Sequence, residues 1–264
     1  MRVIVRGGGD LATGTIHKLH ACGFEVLVLE VEKPTCIRRL AAFSEAIIHQ
    51  QVIVEGIKSI HVQTLEEASQ VIKEGNIPIM IDPKGEMISK WQPDVVVDAI
   101  LAKENLGTTI DMAPIVIGLG PGFEAKKDVD AVVETKRGHH LGRVLYEGKA
   151  IKNTGIPGII AGYGKERVIH APTSGTLHVI KDIEAIVEKD ECIAYIDETP
   201  VYATLTGVIR GMLPDGFAVK KGLKMADIDP RKEQVENCRT ISDKARCIAG
   251  GVLEAILYLK RQQE

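Results

Sequence analysis

The chain begins with a pattern that few folds accommodate. Val3-Ile4-Val5-Arg6 is a short apolar run that breaks into Gly7-Gly8-Gly9 and then opens into the helix-like stretch Asp10-Leu11-Ala12-Thr13-Gly14. Gly7 and Gly9 with Ala12 fit the G-x-G-x-x-G/A spacing. In that spacing the first glycine permits a tight turn, the second lets a pyrophosphate approach bare backbone, and the third small residue lets helix and strand pack closely. The partly positive helix N-terminus then faces the anion. A second strand-like run, Glu25 to Val31, ends near Glu30, close to the ~20-residue offset at which a ribose-binding acid stands in such units. The pattern predicts a strand, a phosphate-binding turn and a helix start, with Gly7, Gly8, Gly9, Asp10, Leu11, Ala12, Thr13 and Glu30 as candidate ligand contacts. The competing reading is a glycine turn kept only for packing.

Over residues 1–166 strand-like and helix-like segments alternate in the way that predicts a parallel sheet. Pro34 to Arg39 reads as a helix start, and Leu65 to Lys73 as an amphipathic helix closed by Gly75. Ile77–Ile81, Asp94–Ile100, Ala113–Gly118 and Asp130–Glu134 read as strands, and Gly118-Leu-Gly-Pro-Gly-Phe123 as a second glycine turn. The expectation is an α/β domain with a Rossmann-like doubly wound parallel sheet, which binds ligands at the carboxyl ends of its strands. Asp82, Asp98, Gly118, Gly120 and Gly122 fall at such ends. Arg38 and Arg39 follow the second strand, where a guanidinium fork holds a ribose phosphate or a pterin phosphate; the alternative is a basic helical turn facing water. Asp98 either contacts ligand or caps the next turn.

The catalytic residues stay unassigned, with Asp130, Arg137 and His139 as candidates. Asp128 and Asp130 share a strand face and suit acid–base work, or are solvated edge charges. Arg137 and His139 lie in a polar loop, where a histidine moves protons near neutral pH or is simply hydrogen-bonded. Adjacent histidines such as His139 and His140 point apart, so no metal site is expected. Cys36, at the expected helix start, is a lesser candidate for carrying sulfur or selenium, because a helix N-terminus lowers a thiol pKa.

Residues 167–230 repeat themselves. Shifted by 32 residues, Ala171 falls on Ala203, Gly175 on Gly207, Val187 on Val219 and Asp197 on Asp229. Such repetition signals duplicated units sharing one core. The segment is similar to biotinyl and lipoyl carrier domains, which implies a barrel-sandwich hybrid. The carrier lysine would stand on the hairpin Asp197 to Val201, yet no lysine occurs between Lys189 and Lys220. Neither biotin nor lipoate is expected, leaving a scaffold role. Residues 231–264 end in a helix that Ser242 is placed to cap. Gly250 and Gly251 weaken it by roughly 1 kcal/mol each, which suggests a close approach to another element, expected to be the first domain.

Composition excludes several classes. A net charge of -3 with 45% apolar residues gives no bias toward nucleic acid or membrane. No apolar run reaches the ~18–20 residues of a spanning helix. Five cysteines without a C-x-x-C pair argue against a disulfide framework and a zinc site. With no signal-peptide pattern at the start, the expected location is the cytoplasm.

Several blocks taken together carry a resemblance over nearly the whole chain. They are Gly-Gly-Gly-Asp-Leu-Ala-Thr-Gly, Phe43 to Ala46, Asp98 to Lys103, Gly-Leu-Gly-Pro-Gly-Phe, Asp128 to Thr135, Arg137 to His139, Leu141 to Arg143, Asn153 to Gly158 and Thr240 to Arg246. The chain resembles the YqeB-type accessory proteins of selenium-dependent molybdenum hydroxylases, distantly like xanthine dehydrogenase maturation factors. The resemblance implies a maturation role for a molybdenum enzyme of the xanthine dehydrogenase type, and a non-enzymatic accessory protein is the favoured reading while catalysis stays open. Its cofactor would be a phosphate-bearing nucleotide or molybdopterin-type group, and its partner a molybdenum hydroxylase subunit. A homo-oligomer stays open. The alternative is an NAD(P)-dependent oxidoreductase with a carrier-like appendage, but no tyrosine precedes a lysine by four residues to support one familiar class.

Overall fold

The computed structural model describes residues 1–153, 155 and 158–263. The chain divides into two compact units, one of Met1–Pro34, Ala42–Asn153 and Ile241–Glu264, the other of Thr35–Ala41 and Thr154–Thr240. Half of the block Asn153 to Gly158 falls outside the described residues.

In the first unit, strand β1 (Arg2–Arg6) leads through the glycines into helix α1 (Asp10–Ala21) and strand β2 (Glu25–Glu30). Short helix α2 (Ala46–His49) precedes strands β3 (Gln51–Val54) and β4 (Ile57–His61). Helix α3 (Leu65–Lys73), strand β5 (Ile77–Ile81), helix α4 (Glu86–Trp91) and strand β6 (Val95–Asp98) follow. The unit's remaining strands are β7 (Ile115–Leu119), β8 (Glu124–Ala125), β9 (Ala131–Val133), β10 (Val144–Leu145) and β11 (Gly148–Lys149). Ile4, Leu27, Ile77, Val96 and Ile117 on these apolar strands are sealed from water, as suits strands covered on both faces.

The expected Rossmann-like doubly wound parallel sheet is corrected. The sheet is mixed and nine-stranded, in the order β10-β9-β7-β6-β1-β2-β5-β4-β3, with antiparallel strands at both edges. One reason is the turn Glu55-Gly56. Both residues have positive φ, 46° and 81°, the geometry of a two-residue hairpin that returns β4 against β3. The helix expected from Pro34 is also absent; a 3-10 turn at Arg39–Ala41 stands there instead. The connections from β6 to β7 and from β7 to β9 hold no α-helix, only a 3-10 turn and β8.

One face of the sheet is covered by α1 and by helix α5 (Asp243–Gln263), which belongs to this unit although it follows the second unit in sequence. Ser242 Oγ accepts the Ala245 N–H, a cap on the first turn. Ala68 and Val71 of α3, Ile88 and Trp91 of α4, and Phe123 pack in the cluster on the opposite face. The two glycines of α5 differ. A Cβ on Gly251 would strike the Gly142 carbonyl and Val133, whereas Gly250 has open space. Gly250→Ala should therefore raise stability by about 0.5–1 kcal/mol, and Gly251→Ala should lower it, in paired urea melts.

The second unit contains β12 (Val168–His170), β13 (Gly175–Val179), β14 (Ile186–Val187), β15 (Cys192–Ile196), β16 (Thr199–Tyr202), β17 (Gly207–Met212), β18 (Ala218–Val219) and β19 (Lys224–Asp229). The strand starts Gly175, Ile186 and Cys192 answer to Gly207, Ala218 and Lys224, each a step of 32. The expected biotinyl- or lipoyl-like barrel-sandwich hybrid is corrected as well. The strands pair as two separate four-stranded sheets, β12-β19-β17-β14 and β16-β15-β13-β18, and among the described residues no ladder joins them. Their edge strands β14 and β18 are two residues long, too short to extend a ladder around a closed barrel. The molecule is thus a mixed α/β protein with several sheets. Among the described residues no helix is long and apolar enough to cross a membrane.

Candidate functional site

The carboxyl ends of the parallel strands β1, β2, β5 and β6 bring Gly7–Gly9, Glu30, Asp82 and Asp98 to one edge of the first unit's sheet. Gly7 has φ of 95°, and a Cβ there would lie 2.9 Å from the Ala99 carbonyl oxygen, so the turn needs glycine for conformation and for space. The Gly8 amide donates to Glu30 Oε2 at 2.8 Å, and Val31 N donates to Glu30 Oε1 at 2.7 Å. The acid that the sequence offers to a ribose thus binds the turn itself. The Gly8 carbonyl accepts from Ser44 N at 2.8 Å and Thr13 Oγ1 at 3.2 Å, and Phe43 N donates to Thr13 Oγ1. The Phe43 to Ala46 block is buried on the turn.

Beyond Gly8 the geometry changes. Gly9 is the N-cap of α1 in extended conformation, φ -64° and ψ 176°, with no side-chain cap. The first-turn N–H groups of Asp10, Leu11 and Ala12 have no acceptor within the helix. Ala12 and Thr13 are buried, whereas Asp10 and Leu11 are partly open. Asp10 complements the helix dipole and opposes a second anion.

Asp98 is held by residues that carry little signal in the sequence. Thr108 Oγ1 donates to Asp98 Oδ2 at 2.6 Å, Ile100 N to Oδ1 at 3.1 Å, and Arg6 Nη1 stands 3.7 Å away. Arg6 also donates to Thr108 Oγ1 and the Pro83 carbonyl. Burial pushes the Asp98 carboxyl above its usual range, although Thr108, Ile100 and Arg6 pull it back. Arg6 has one sequence signal, a charge at the end of an otherwise apolar strand. Thr108 has none. Asp82 caps α4, accepting from Gly85, Glu86 and Met87 N–H groups.

The second glycine turn is filled by the protein. A Cβ on Gly118 would lie 2.5 Å from the Phe123 ring, one on Gly122 2.8 Å from Glu104 backbone, and one on Gly120 would strike Thr135 Oγ1. Packing and positive φ account for these glycines. Glu134, which sequence reasoning missed, is buried there and accepts from Lys136 N and Ile151 N, both at 2.7 Å.

Asp130 lies at the opposite, amino end of the sheet, where its Oδ2 accepts Val116 N at 2.7 Å and burial raises its pKa. Arg137 is bidentate to Asp243 at 2.6 and 2.9 Å. His139 is exposed, its ring edge-on to His140 with centroids 5.1 Å apart. The structure does not bring these three together with Gly9. Arg38 and Arg39 belong to the second unit. Arg38 Nη2 donates to the Asn237 and Thr240 carbonyls, and Arg39 to the Met212 carbonyl and the Asp182 carboxylate. Cys36, partly buried, starts no α-helix. Among the described residues no group of three or more His, Cys, Asp or Glu is placed to hold a metal ion.

Burial raises the Glu30 carboxyl pKa above its ordinary 4.5, against the lowering effect of the Val31 and Gly8 N–H bonds. A raised folded-state pKa means that the folded chain binds the proton more tightly than the unfolded one. Stability therefore falls as pH rises from 4.5 through the raised value. Glu30→Gln should flatten that part of the stability–pH curve, above pH 4.5, in denaturant melts.

No family model matches the chain. It is similar to the Escherichia coli (strain K12) protein named "Uncharacterized protein YqeB", 48% identical over 260 residues, which is 98% of this chain and 48% of that protein. The chain spans about half the length of this curated relative. The likeness supports the YqeB-type part of the resemblance, and the relative's name says nothing of molybdenum or selenium. Among solved structures, the ectoine utilization protein EutE (DoeB) from Ruegeria pomeroyi is 11% identical, with a TM-score of 0.26 over 86% of this chain and 84% of that one. A succinylglutamate desuccinylase/aspartoacylase from Rhodobacter sphaeroides is 12% identical, with a TM-score of 0.28 over the same shares, 86% and 84%. At such scores the likeness carries no argument.

Proposed function

We propose that the chain is an accessory protein for a molybdenum hydroxylase of the selenium-dependent type. Its first unit would hold a phosphate-bearing cofactor, a nucleotide or a molybdopterin-type group, at the start of α1. The observation that carries this reading is the bare Gly9 cap, at the carboxyl edge of the parallel strands. A helix start whose cap carries no side chain, and whose Leu11 and Ala12 N–H groups have no acceptor within the helix, attracts a phosphate. Glu30 and Ser44 fix Gly8, and so hold the turn in one conformation before any ligand arrives. The role of a hydroxylase subunit as partner rests on the sequence motifs.

Gly9→Asp tests the binding site directly. The φ of Gly9 suits any residue, and aspartate is a favourable N-cap, so the backbone conformation does not oppose the substitution. Its carboxylate would take the first-turn N–H groups and repel an anion. Calorimetry with molybdopterin and a nucleotide panel should give saturable binding to wild type and a loss of at least about tenfold in Gly9→Asp. Equal affinities would reduce the glycine turn to packing. Preference for a nicotinamide dinucleotide, with turnover, would favour an oxidoreductase instead.

A further inference from the structure

We propose that the second unit carries an oxyanion site built on Arg210, fitted to a phosphate group, free or as a monoester. This inference does not rest on the α1 site. Arg210 lies in β17 at an irregularity of the ladder, where Ile209 pairs with Ile228 and Gly211 with Asp227, leaving Arg210 as the extra residue. Such a bulge re-aims one side chain out of the alternation of its strand. Among the described residues its guanidinium makes no hydrogen bond and no ion pair. The side chain is partly buried, yet each of its nitrogens keeps some exposure to solvent.

The charges around it explain why it stands alone. The carboxylates that attract Arg210 are those of Asp227 and Asp229. Asp227 is already in the fork of Arg167, with both oxygens 3.0 Å from Nη2. Asp229 is in the fork of Arg231, at 2.9 Å from Nε and 2.7 Å from Nη2. Glu184, beside the same Cys238 that feels Arg210, is in the fork of Arg239 at 2.6 and 2.7 Å. Arg38 and Arg167 act on Arg210 as like charges, and burial together with them lowers its pKa. Arg38 is fixed nearby because the Ile37 carbonyl accepts Met212 N at 2.8 Å and Ile37 packs on Gly211. A guanidinium partly removed from water, with its counter-ions taken by other forks, is costly unless something completes it. A planar fork with like charges near it matches two oxygens of a phosphate.

The test titrates inorganic phosphate, phenyl phosphate and acetate, at matched chloride, into wild type, Gly9→Asp, Arg210→Met and Arg210→Lys. Binding is read by calorimetry and by the Arg210 side-chain Nε–H resonance. Phosphate should bind saturably to wild type and Gly9→Asp, shift the Arg210 resonance, weaken at least about tenfold in Arg210→Met, and bind with intermediate affinity to Arg210→Lys. Tighter binding of phenyl phosphate than of phosphate would assign an ester; the reverse would assign the free ion. An unmoved resonance, wild-type affinity in Arg210→Met, or acetate binding as tightly as phosphate would overturn the proposal. Should Arg210→Met not fold, Arg210→Lys and the wild-type resonance decide. Loss in Gly9→Asp alone would support the α1 site and overturn this one.

Discussion

Asp227→Ala should lower the unfolding free energy by about 3–5 kcal/mol, the cost of leaving one buried partner of an ion pair uncompensated. Arg167 and Asp227 are 5% and 6% exposed, so water does not replace the lost carboxylate. The guanidinium would keep its bonds to the Ile228 and Gly158 carbonyls, at 3.2 and 3.3 Å, but would lose both charge-assisted contacts. The double variant Arg167→Met/Asp227→Leu should cost much less than Asp227→Ala, because no charge is then stranded. Urea denaturation with an unchanged m-value measures both. A loss below about 1 kcal/mol for Asp227→Ala would mean that solvent reaches the pair.

Gly14→Val should be comparably severe, about 3 kcal/mol or more, because it forces apart the two helices on one face of the first unit's sheet. A Cβ at Gly14 would stand 2.8 Å from the Ala245 Cβ and 2.9 Å from its backbone carbon and oxygen. Backbone cannot swing aside as a long side chain can, so α1 and α5 must separate along buried Ile16, Leu19, Ile248 and Val252. Gly14→Ala should be milder. Adding Ala245→Gly should recover part of that loss, since it removes the nearest contact and leaves the backbone ones. A wild-type melting profile for Gly14→Val would show that the helices are not in such contact.

The proposed site was only partly legible in the sequence. The glycine spacing located the start of α1, because a turn entered from an apolar strand carries its own local signature. The same spacing could not tell which glycine faces a ligand and which faces protein. Gly118, Gly120 and Gly122 share the signature, and Phe123, Thr135 and the Glu104 backbone occupy their open sides. Glu30 was found by its offset, while its bond to the Gly8 amide depends on the separation of two adjacent strand ends.

Sequence alone determined what local physics fixes. The amphipathic helix Leu65–Lys73 forms over the residues its periodicity marks, with Thr64 accepting the Glu67 N–H as its cap. The apolar run Ile77–Ile81 is a strand, and the step of 32 residues reappears in the strand starts of the second unit. Tertiary structure alone decided which strands pair, and in which direction. The Glu55-Gly56 turn sent β4 back against β3, and the second unit's strands settled into two separate four-stranded sheets. It also decided which charges meet: Arg6 with Asp98, Arg167 with Asp227, and, among the described residues, Arg210 in no ion pair. Periodicity and capping act within a few residues of the chain. Pairing and charge compensation depend on groups far apart in sequence, 60 residues in the case of Arg167 and Asp227, brought together only when the backbone closes.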